Sequence, residues 1–537
     1  MTIETDYAAF GLQAPSTRID PPGWPRDVAS IIERAVSLWP DDEALDDGKS
    51  TYTFRQLAKA ISAATALLAN AGIGAGDRVA ASLGNESNLV IAFFATMRLG
   101  AIWVGINKIL PADDKRFIIE HSGTKLLLTD STIREQVNSL TTEVPSLAAI
   151  LYLDTDDQDG GWKAAINDPS THDAPRPDID PYAPAVIMYT SGTTGVPKGV
   201  VHSQHNMIVV PAASFAHGIL QPDARRGSCL PLTITNLMIL GPVASFLTGK
   251  PFIFGVSSKI DPLIDWFHEK KVEAISLVPT TVYDLLQTDR TLPESLTVAS
   301  GGAPLPQVIR EAFFKRFGYH IRTSYGLTEA PTVVAYPIDD VAPDGASGQA
   351  MPYLEITIRD TEGRILPAGE VGEVCFAARS DGPWAHVYTP PLGYWCDSAK
   401  TADLLRGGVV HSGDHGSLDK DGWLTIADRS SELILRGGSN VYPAEIERIL
   451  HMHDDVADCA IIGRPDLRMG MLTVACIQPA KVGTDCDKLK AELQALCAAK
   501  LVRYKVPDEW RFMESFPRNA MGKIVKPKLR ESVLNSD

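Results

Sequence analysis

The chain has 537 residues, of which 45% are hydrophobic and 22% charged, and its formal net charge is −16. A chain of this length exceeds one compact core, so we expect two or more domains. The acidic balance argues against the basic face that nucleic-acid binding requires, and we expect no nucleic-acid partner. The seven cysteines show neither C-x-x-C nor zinc-site spacing, which favours free thiols in a reducing cytosol.

Targeting and membrane signals are not found in the sequence. The N-terminal residues lack the basic and apolar regions of a signal peptide. The longest apolar stretch, Leu237–Leu247, contains Gly241-Pro242 and is too short to span a bilayer. The last residues, Asn535-Ser536-Asp537, are not a peroxisomal signal. We therefore expect a cytoplasmic protein without integral membrane association.

Helices and strands alternate in the predicted elements of the N-terminal part. Thr53 is placed to cap the helix Phe54–Asn70, whose apolar residues form one stripe. Further helices are predicted at Val28–Ser37, Asn85–Leu99, Asp114–Ser122 and Ser203–Ala216. Strands are predicted at Thr51–Thr53, Arg78–Leu83, Ala101–Gly105, Lys125–Thr129, Lys250–Phe254, Ala274–Val278 and Thr297–Ser300. This alternation predicts an α/β fold with doubly wound, mostly parallel sheets.

The pattern changes towards the C-terminus. Short segments punctuated by valine and glycine, such as Leu354–Asp360 and Val371–Phe376, predict a β-barrel-like subdomain at about residues 345–428. Another set of elements follows at Pro443–His451, Val456–Gly463, Met471–Gln478 and Cys486–Leu501. We therefore predict a large N-terminal domain at residues 1–430 and a small α+β domain at residues 431–537.

The most particular stretch is Thr190–Gly199, TSGTTGVPKG, which follows the apolar strand Ala185–Tyr189. Its glycines let the backbone approach a ligand, and the N–H groups and hydroxyls of such a loop bind anions. Lys198 adds a full positive charge. The stretch is not a Walker A loop, because Pro197 stands where that motif needs glycine. A polyphosphate is the expected partner, and a polar turn between two core elements is the alternative.

Two further segments follow predicted strands. Small residues at Ser300–Pro304, SGGAP, leave flat space beside a ring. The segment Ser324–Glu329, SYGLTE, supplies a tyrosine face for a purine, a threonine hydroxyl for phosphate and a carboxylate suited to Mg²⁺. Ordinary strand-to-helix turns are the alternative for each.

Further motif-like segments are Val410–Asp414 (VHSGD), Asp428-Arg429, Leu435–Glu447 (LRGGSNVYPAEIE), Tyr504–Pro507 (YKVP) and Arg518–Lys526 (RNAMGKIVK).

In this order, over roughly residues 50–530, the segments resemble those of the adenylate-forming (ANL) superfamily, in its acyl-CoA synthetase or acid–CoA ligase branch. The resemblance implies an N-terminal AMP-binding domain, a mobile C-terminal domain, and ATP, Mg²⁺ and coenzyme A as ligands. It implies that the catalytic residues are Lys523, Lys198 and Glu329, with Lys523 on an extended, exposed loop, bridging carboxylate and α-phosphate. It implies that the nucleotide contacts Thr190, Ser191, Gly192, Thr193, Thr194, Lys198, Gly302, Ala303, Pro304, Ser324, Tyr325, Gly326, Thr328, Asp414, Arg429 and Lys523.

The same resemblance implies the remaining sites. Glu329 and Thr193 are the implied metal ligands, and Gly437 and Gly438 the implied coenzyme A contacts. Ser430 and Ser431 stand at the implied hinge, where the family usually has Asp or Lys.

The acyl pocket is expected from Pro231–Leu240, Ser300–Gly302 and Ala330–Val334, which contain neither Lys nor Arg. A second substrate carboxylate would lack a counter-ion there, and no aspartate is present to hold an α-amine. We expect a hydrophobic monocarboxylic acid: aryl-alkanoic, alicyclic or medium-chain fatty. The expected lining is Thr233, Ile234, Asn236, Leu237, Ser300, Gly301 and Pro331, with Thr233 and Ile234 replacing an aromatic–His pair of many members.

Four functions compete at this point. The leading one is an acid–CoA ligase that forms an acyl-adenylate and then an acyl-CoA thioester. A stand-alone adenylation enzyme that loads a carrier protein in trans is the alternative. A luciferase-like oxidative enzyme stays open, whereas the intact Lys198, Glu329 and Lys523 argue against a catalytically silent binding protein. The sequence leaves open whether the protein is a monomer or a homodimer.

Overall fold

The computed structural model describes residues 5–155, 161–167, 174, 177–190, 197–255, 257, 259–301, 305, 307–330, 332–337, 343, 345–429, 432, 434–436, 439–466, 469–481, 483–501, 503–519 and 522–534. Most of this chain is regular secondary structure. In chain order the strands are β1 (Glu43–Asp46), β2 (Thr51–Thr53), β3 (Arg78–Ser82), β4 (Ile102–Gly105), β5 (Leu126–Thr129), β6 (Ala149–Tyr152), β7 (Pro184–Thr190), β8 (Lys198–Ser203), β9 (Arg226–Ser228), β10 (Phe252–Phe254), β11 (Ala274–Leu277), β12 (Thr297–Ser300), β13 (Arg322–Thr323), β14 (Tyr325–Gly326), β15 (Val333–Tyr336), β16 (Gln349–Ala350), β17 (Leu354–Arg359), β18 (Gly372–Ala378), β19 (Gly393–Tyr394), β20 (Val410–Leu418), β21 (Leu424–Arg429), β22 (Ile434–Arg436), β23 (Ser439–Val441), β24 (Val456–Asp466), β25 (Gly470–Pro479) and β26 (Glu509–Phe512).

Helices lie between these strands for much of the chain. They are α1 (Ala29–Leu38), α2 (Phe54–Asn70), α3 (Ser87–Arg98), α4 (Ala112–Ser122), α5 (Arg134–Val137), α6 (Leu140–Glu143), α7 (Trp162–Asn167), α8 (Gln204–Ala216), α9 (Thr235–Met238), α10 (Ala244–Leu247), α11 (Ile260–Glu269), α12 (Pro279–Leu286), α13 (Gln307–Phe317), α14 (Ser398–Leu404), α15 (Pro443–Leu450), α16 (Cys486–Lys500) and α17 (Lys526–Leu534). None of these helices is long and apolar enough to cross a membrane.

Two seven-stranded sheets form the centre of the N-terminal part, with strand orders β13-β12-β11-β9-β10-β1-β2 and β19-β8-β7-β4-β3-β5-β6. Neighbours in the first sheet are parallel except for the edge strand β2. In the second sheet, β8 is antiparallel to β7 and to β19, and the other pairs are parallel. The predicted α/β fold with mostly parallel sheets is confirmed.

The start of α2 shows how local sequence determines an element. Thr53 Oγ1 accepts a hydrogen bond from the Gln56 N–H at 3.3 Å, and Gln56 Oε1 accepts one from the Thr53 N–H at 2.8 Å. This reciprocal pair satisfies two backbone donors that a helix N-terminus otherwise leaves unpaired. The predicted cap and both ends of the helix are therefore confirmed.

The segment after the glycine-rich stretch Thr190–Gly199 differs from the sequence prediction. We expected the loop to lead to a helix, but strand β8 intervenes and forms an antiparallel hairpin with β7. Ser203 is not the first helical residue but the N-cap of α8, with its hydroxyl accepting from the Asn206 N–H at 3.1 Å. The apolar, β-branched pair Val200-Val201 suits the buried strand β8 better than a helix.

The predicted β-rich region consists of antiparallel sheets. Strands β17, β18, β20 and β21 form one sheet, and β14, β15 and β16 form another. A bridge between Gly348 and Leu424 joins the two. Together they bring the VHSGD segment on β20 alongside the Asp428-Arg429 segment on β21.

The C-terminal part has hydrophobic clusters of its own. Strands β22 to β26 form one sheet. Side chains alternate across it, so Ile461 and Ile477 pack with α15 and α16 on one face, whereas Ile462 and Val474 pack with α17 on the other. The described clusters of this part contain only residues from Ile434 onwards. The seven cysteines are free thiols.

Candidate active site

The hairpin β7–β8 presents the first candidate residues. Thr190, the last residue of β7, lies directly opposite Lys198, the first residue of β8. A Cβ on Gly199 would lie 2.6 Å from Ile187 Cγ2, so close packing of the hairpin requires glycine there. The hairpin therefore fixes Lys198 at the mouth of the loop.

Tyr394 links two of the predicted catalytic residues. The Lys198 ammonium lies over the Tyr394 ring, 5.4 Å from its centroid. The Tyr394 hydroxyl donates a hydrogen bond to Glu329 Oε1 at 2.7 Å. A cation over an aromatic face and a carboxylate at the hydroxyl are both favourable. Lys198 and Glu329 are thus held on one tyrosine, which the sequence analysis did not identify.

The reason for that omission lies in long-range pairing. Tyr394 belongs to the two-residue strand β19, which pairs with β8 so that Tyr394 lies opposite Val200. Gly393 has a φ of +126°, and a Cβ there would lie 2.4 Å from Thr401 Cγ2. A Gly-Tyr pair is not a catalytic motif. The hint in the sequence was Gly393 itself, because glycine can adopt backbone angles that other residues rarely adopt.

A buried histidine holds the Glu329 segment against β8. His202 Nε2 donates to the Thr328 carbonyl at 2.7 Å, and His202 Nδ1 accepts from Asn206 Nδ2 at 3.1 Å. A carbonyl can only accept, so Nε2 carries the proton. Burial lowers the pKa of His202 to about 4, which keeps the ring neutral. Sequence analysis missed this residue because its partner is a backbone atom far along the chain.

The pairing of β20 with β21 brings together residues that the resemblance assigns to nucleotide binding. Asp414 on β20 lies opposite Arg429 on β21, of which the structure describes the backbone. The Tyr325 hydroxyl donates to Asp414 Oδ2 at 2.7 Å, and Asp414 is only 4% exposed. A Cβ on Gly326 would lie 1.9 Å from the Thr332 carbonyl oxygen, which excludes any other residue there. The structure thus places Tyr325, Asp414 and Arg429 in one group.

The end of β12 lies next to this group. Ser300 is paired with Thr323, and a Cβ on Gly301 would be in ordinary contact, 3.7 Å from Ser324 Oγ. Both segments leave the carboxyl ends of parallel strands, where open α/β sheets bind ligands.

Four of the expected acyl-pocket residues, Thr233, Ile234, Asn236 and Leu237, lie in or just before a short, irregular helix. Ile234 precedes α9, which contains Asn236 and Leu237, and a π-helical turn follows at Ile239–Val243. Such turns are frequent at functional sites. Thr233 is buried, and its carbonyl oxygen would lie 2.1 Å from a Cβ on Gly105 at the end of β4.

Four buried oxygens in the expected pocket segments have no hydrogen-bond partner in the described part of the chain. They are Thr233 Oγ1, Asn236 Oδ1, Ser300 Oγ and Thr332 Oγ1. Buried polar atoms are nearly always paired. Their state suits a ligand that carries hydrogen-bonding groups.

Lys523 closes a hydrogen-bonded turn, which differs from the extended loop that we expected. The Asn519 N–H donates to the Lys523 carbonyl at 2.9 Å, and the Lys523 N–H donates to Asn519 Oδ1 at 3.0 Å. Gly522 takes a φ of +74°, which favours glycine. Arg518 closes the turn through the Gly522 carbonyl at 2.8 Å and pairs with Asp458 at 2.6 Å. The side chain is partly exposed.

Lys526, the first residue of α17, anchors this helix through two ion pairs. Its ammonium pairs with Glu432 at 2.7 Å and with Glu447 at 2.8 Å, and its side chain is only 12% exposed. The segment next to the predicted hinge, α15 and α17 thus meet at one lysine.

The contacts divide the candidate residues between the two parts of the chain. Lys198, Glu329, Tyr325 and Asp414 lie in the N-terminal part, and the turn that carries Lys523 contacts Asp458 in the C-terminal part. Several predicted residues lie outside the described residues: Ser191, Gly192, Thr193, Thr194, Gly302, Ala303, Pro304, Pro331, Ser430, Ser431, Gly437 and Gly438.

Comparisons with known proteins agree over both parts. Residues 32–381 match the family model of the AMP-binding enzyme, and residues 445–523 match that of the AMP-binding enzyme C-terminal domain. The fatty acid–[acyl-carrier-protein] ligase ScoC of Streptomyces coeruleorubidus is 30% identical, over 90% of this chain and 91% of ScoC. The sulfoacetate–CoA ligase of Cupriavidus necator is also 30% identical, over 94% of this chain and 97% of that protein. The crystal structure of the anthranilate CoA ligase AuaEII with anthranoyl-AMP has a TM-score of 0.84 at 25% identity, covering 96% of this chain and 98% of that one.

Proposed function

We propose that this chain, which belongs to the AMP-binding enzyme family of acid–thiol ligases, joins a hydrophobic monocarboxylic acid to coenzyme A at the expense of ATP. The acid first attacks the α-phosphorus of ATP, forming an acyl-adenylate and releasing pyrophosphate. The thiol of coenzyme A then attacks the acyl carbon, forming the thioester and releasing AMP. The observation that carries this proposal is the Lys198–Tyr394–Glu329 group beside the glycine-rich loop.

The first step requires neutralisation of phosphate charge. Lys198 supplies one positive group, and Tyr394 keeps it close to the Glu329 carboxylate. Glu329 is the hard oxygen donor that Mg²⁺ prefers, so the residues present fit this ion, with Thr193 as the second proposed ligand. Mg²⁺ bound there supplies further charge stabilisation for the phosphates.

The nucleoside is held by the group at the sheet junction. We assign the ribose hydroxyls to Asp414, whose carboxylate Tyr325 orients through a 2.7 Å hydrogen bond. Arg429, opposite Asp414 in the sheet, is the second proposed ribose contact. The Tyr325 ring and the SGGAP segment are the proposed adenine contacts.

Lys523 is the proposed mobile cation of the adenylation step. Its turn belongs to the C-terminal part, so a rotation of residues 431–537 relative to residues 1–430 would bring Lys523 in for adenylation and withdraw it for thiolation. Ser430 and Ser431 stand at the proposed hinge. The Gly437-Gly438 segment is the proposed coenzyme A contact.

We propose an aryl-alkanoic acid among the three expected classes. The names of the two relatives specify different acids, a fatty acid and sulfoacetate. The absence of Lys and Arg from the three pocket segments disfavours a sulfonate. The unpartnered oxygens of Thr233, Asn236 and Ser300 suit a ring with a hydroxyl or amino substituent.

A carrier-protein ligase is the second candidate, which the similarity to ScoC favours. Purified protein with ATP, Mg²⁺ and a panel of acids should release pyrophosphate, and free coenzyme A should then yield AMP and acyl-CoA. Acid-dependent pyrophosphate exchange without an acyl-CoA product would instead favour the carrier-protein function. Highest turnover with a dicarboxylate, a sulfonate or an amino acid would contradict the proposed substrate.

A further inference from the structure

Glu373, Cys375 and His411 form a cluster of metal-ligating groups on two neighbouring strands, β18 and β20. Cys375 lies directly opposite His411, and Glu373, two residues before Cys375 on β18, lies on the same face of that strand. Cys375 Sγ is 3.3 Å from His411 Nδ1, and His411 Nδ1 is 2.8 Å from Glu373 Oε2. One donor atom from each residue lies within 4.8 Å of the others. Cys375 and His411 are buried.

The orientation of the His411 ring is fixed from its other side. His411 Nε2 lies 3.2 Å from the Arg406 carbonyl oxygen. Since a carbonyl only accepts, Nε2 carries a proton, and the lone pair of Nδ1 then faces the thiol and the carboxylate in the neutral ring. A backbone carbonyl that holds the second nitrogen is the usual support of a metal-bound histidine. Two acceptor atoms 2.8 Å apart repel unless a proton or a metal ion joins them.

Nucleophilic catalysis does not account for the cluster. A Cys–His–carboxylate triad places the thiol on one ring nitrogen and the carboxylate on the other. Here both contact Nδ1.

We propose that Glu373, Cys375 and His411 bind a borderline-soft divalent cation, with Zn²⁺ as the best fit. One sulfur, one imidazole nitrogen and one carboxylate oxygen are all zinc ligands, whereas the thiolate excludes Mg²⁺. Ideal tetrahedral zinc separates a nitrogen from an oxygen by about 3.3 Å and from a sulfur by about 3.5 Å. The nitrogen–oxygen pair would need to open by about 0.5 Å and the nitrogen–sulfur pair by about 0.2 Å. Arg406, which pairs with Glu373 at 2.7 Å, also donates to the Asp403 carbonyl at 3.1 Å and is half-exposed, so it can leave the carboxylate without burying its charge.

A cation bound at this site would cross-link two strands close to the proposed ribose-binding carboxylate of Asp414. The Gly413 N–H donates to Glu373 Oε1 at 3.3 Å, and Asp414 is the next residue on β20. A cation at this position joins β18 to β20 and stabilises the folded state by mass action. This site is independent of the proposed substrate and of the acceptor thiol.

The test uses the full-length protein after treatment with a chelator and buffer exchange. Co²⁺ is the spectroscopic probe, and Zn²⁺ is measured by equilibrium dialysis and by its effect on the Tm. We expect one tight equivalent of Zn²⁺, a rise in Tm of several degrees, and a thiolate-to-cobalt absorption band. Mg²⁺ should reproduce none of these effects.

Matched variants locate the ion. Cys375→Ser and His411→Gln should each abolish the cobalt band and the tight equivalent. Cys396→Ser, which removes an exposed thiol, should leave both unchanged. If Cys375→Ser fails to fold, His411→Gln together with Cys396→Ser still decides the question. Absence of a tight equivalent from the parent protein, or its retention in His411→Gln, would show an adventitious ion only and overturn the proposal.

Discussion

Tyr394 carries more of the proposed chemistry than its sequence context suggests. Its ring faces the Lys198 ammonium, and its hydroxyl donates to Glu329. A hydrogen bond to a charged group contributes about 1.5–3 kcal/mol. Loss of that bond would let the Glu329 carboxylate rotate away from the proposed phosphate site.

Tyr394→Phe is therefore expected to slow acyl-adenylate formation roughly tenfold or more, measured by pyrophosphate release in single turnover. The ring over Lys198 is kept, so the change isolates the hydroxyl. Tyr388→Phe is the matched control, because the buried Tyr388 hydroxyl has no hydrogen-bond partner among the described residues. Equal rates in the two variants would show that the Glu329 contact has no role in adenylation.

The neutrality of His202 has a consequence for acid stability. Its pKa is about 4 in the folded protein, against about 6.5 for an unfolded histidine. Between these values the unfolded chain binds more protons than the folded one. The contribution of the neutral His202 ring to the free energy of unfolding is therefore complete above pH 6.5 and is lost as the pH falls towards 4. The loss between pH 7.5 and pH 5 is about 2 kcal/mol.

His202→Leu removes this titration. We expect the variant to be less stable than the parent at pH 7.5, because the Thr328 carbonyl loses its donor. The urea midpoint of the parent should fall more steeply between pH 7.5 and pH 5 than that of the variant. His320→Gln, at an exposed position, should keep the parental pH dependence. Parallel pH profiles for the parent and His202→Leu would contradict a buried neutral ring.

At the scale of elements, the turn Arg518–Lys523 positions the proposed adenylation lysine. Asn519 Oδ1 accepts a hydrogen bond from the Lys523 N–H at 3.0 Å. The other turn bonds use backbone atoms or Arg518. The side chain of Asn519 is thus expected to order the turn rather than to contact substrate.

Asn519→Ala should lower the adenylation rate several-fold while leaving thioester formation from supplied acyl-AMP and coenzyme A unchanged, since in the proposed mechanism only the first step uses Lys523. The readouts are pyrophosphate release and acyl-CoA yield. Asn519→Asp keeps the acceptor oxygen and should restore most of the rate. An equal loss in both half-reactions would indicate a general folding defect instead.

Elements with complete local signals could be predicted, and elements that depend on distant partners could not. The helix α2 carries its own capping box, and its predicted ends match those of the structure. By contrast, β8 depends on its pairing with β7, and the two-residue strand β19 depends on its pairing with β8. The same distinction applies to the site: Lys198, Glu329 and Asp414 lie in recognisable motifs, whereas Tyr394 and His202 act through residues far away in sequence.

At the scale of the molecule, the described chain has separate hydrophobic clusters before and after the predicted hinge. The clusters of the C-terminal part begin at Ile434, and the lysine turn belongs to that part. The proposed nucleotide contacts Lys198, Tyr325 and Asp414 belong to the N-terminal part. An adenylation step that needs both therefore depends on how the two parts meet, and a thiolation step need not use Lys523.

The most direct test of the account is the single-turnover rate of acyl-adenylate formation by Lys523→Ala. The account predicts a loss of roughly 10²–10³-fold, the scale of one lost electrostatic donor, with supplied acyl-AMP still converted to acyl-CoA. Lys528→Ala, at an exposed position on α17, should behave as the parent. Formation of acyl-AMP by Lys523→Ala at the parental rate would contradict the account.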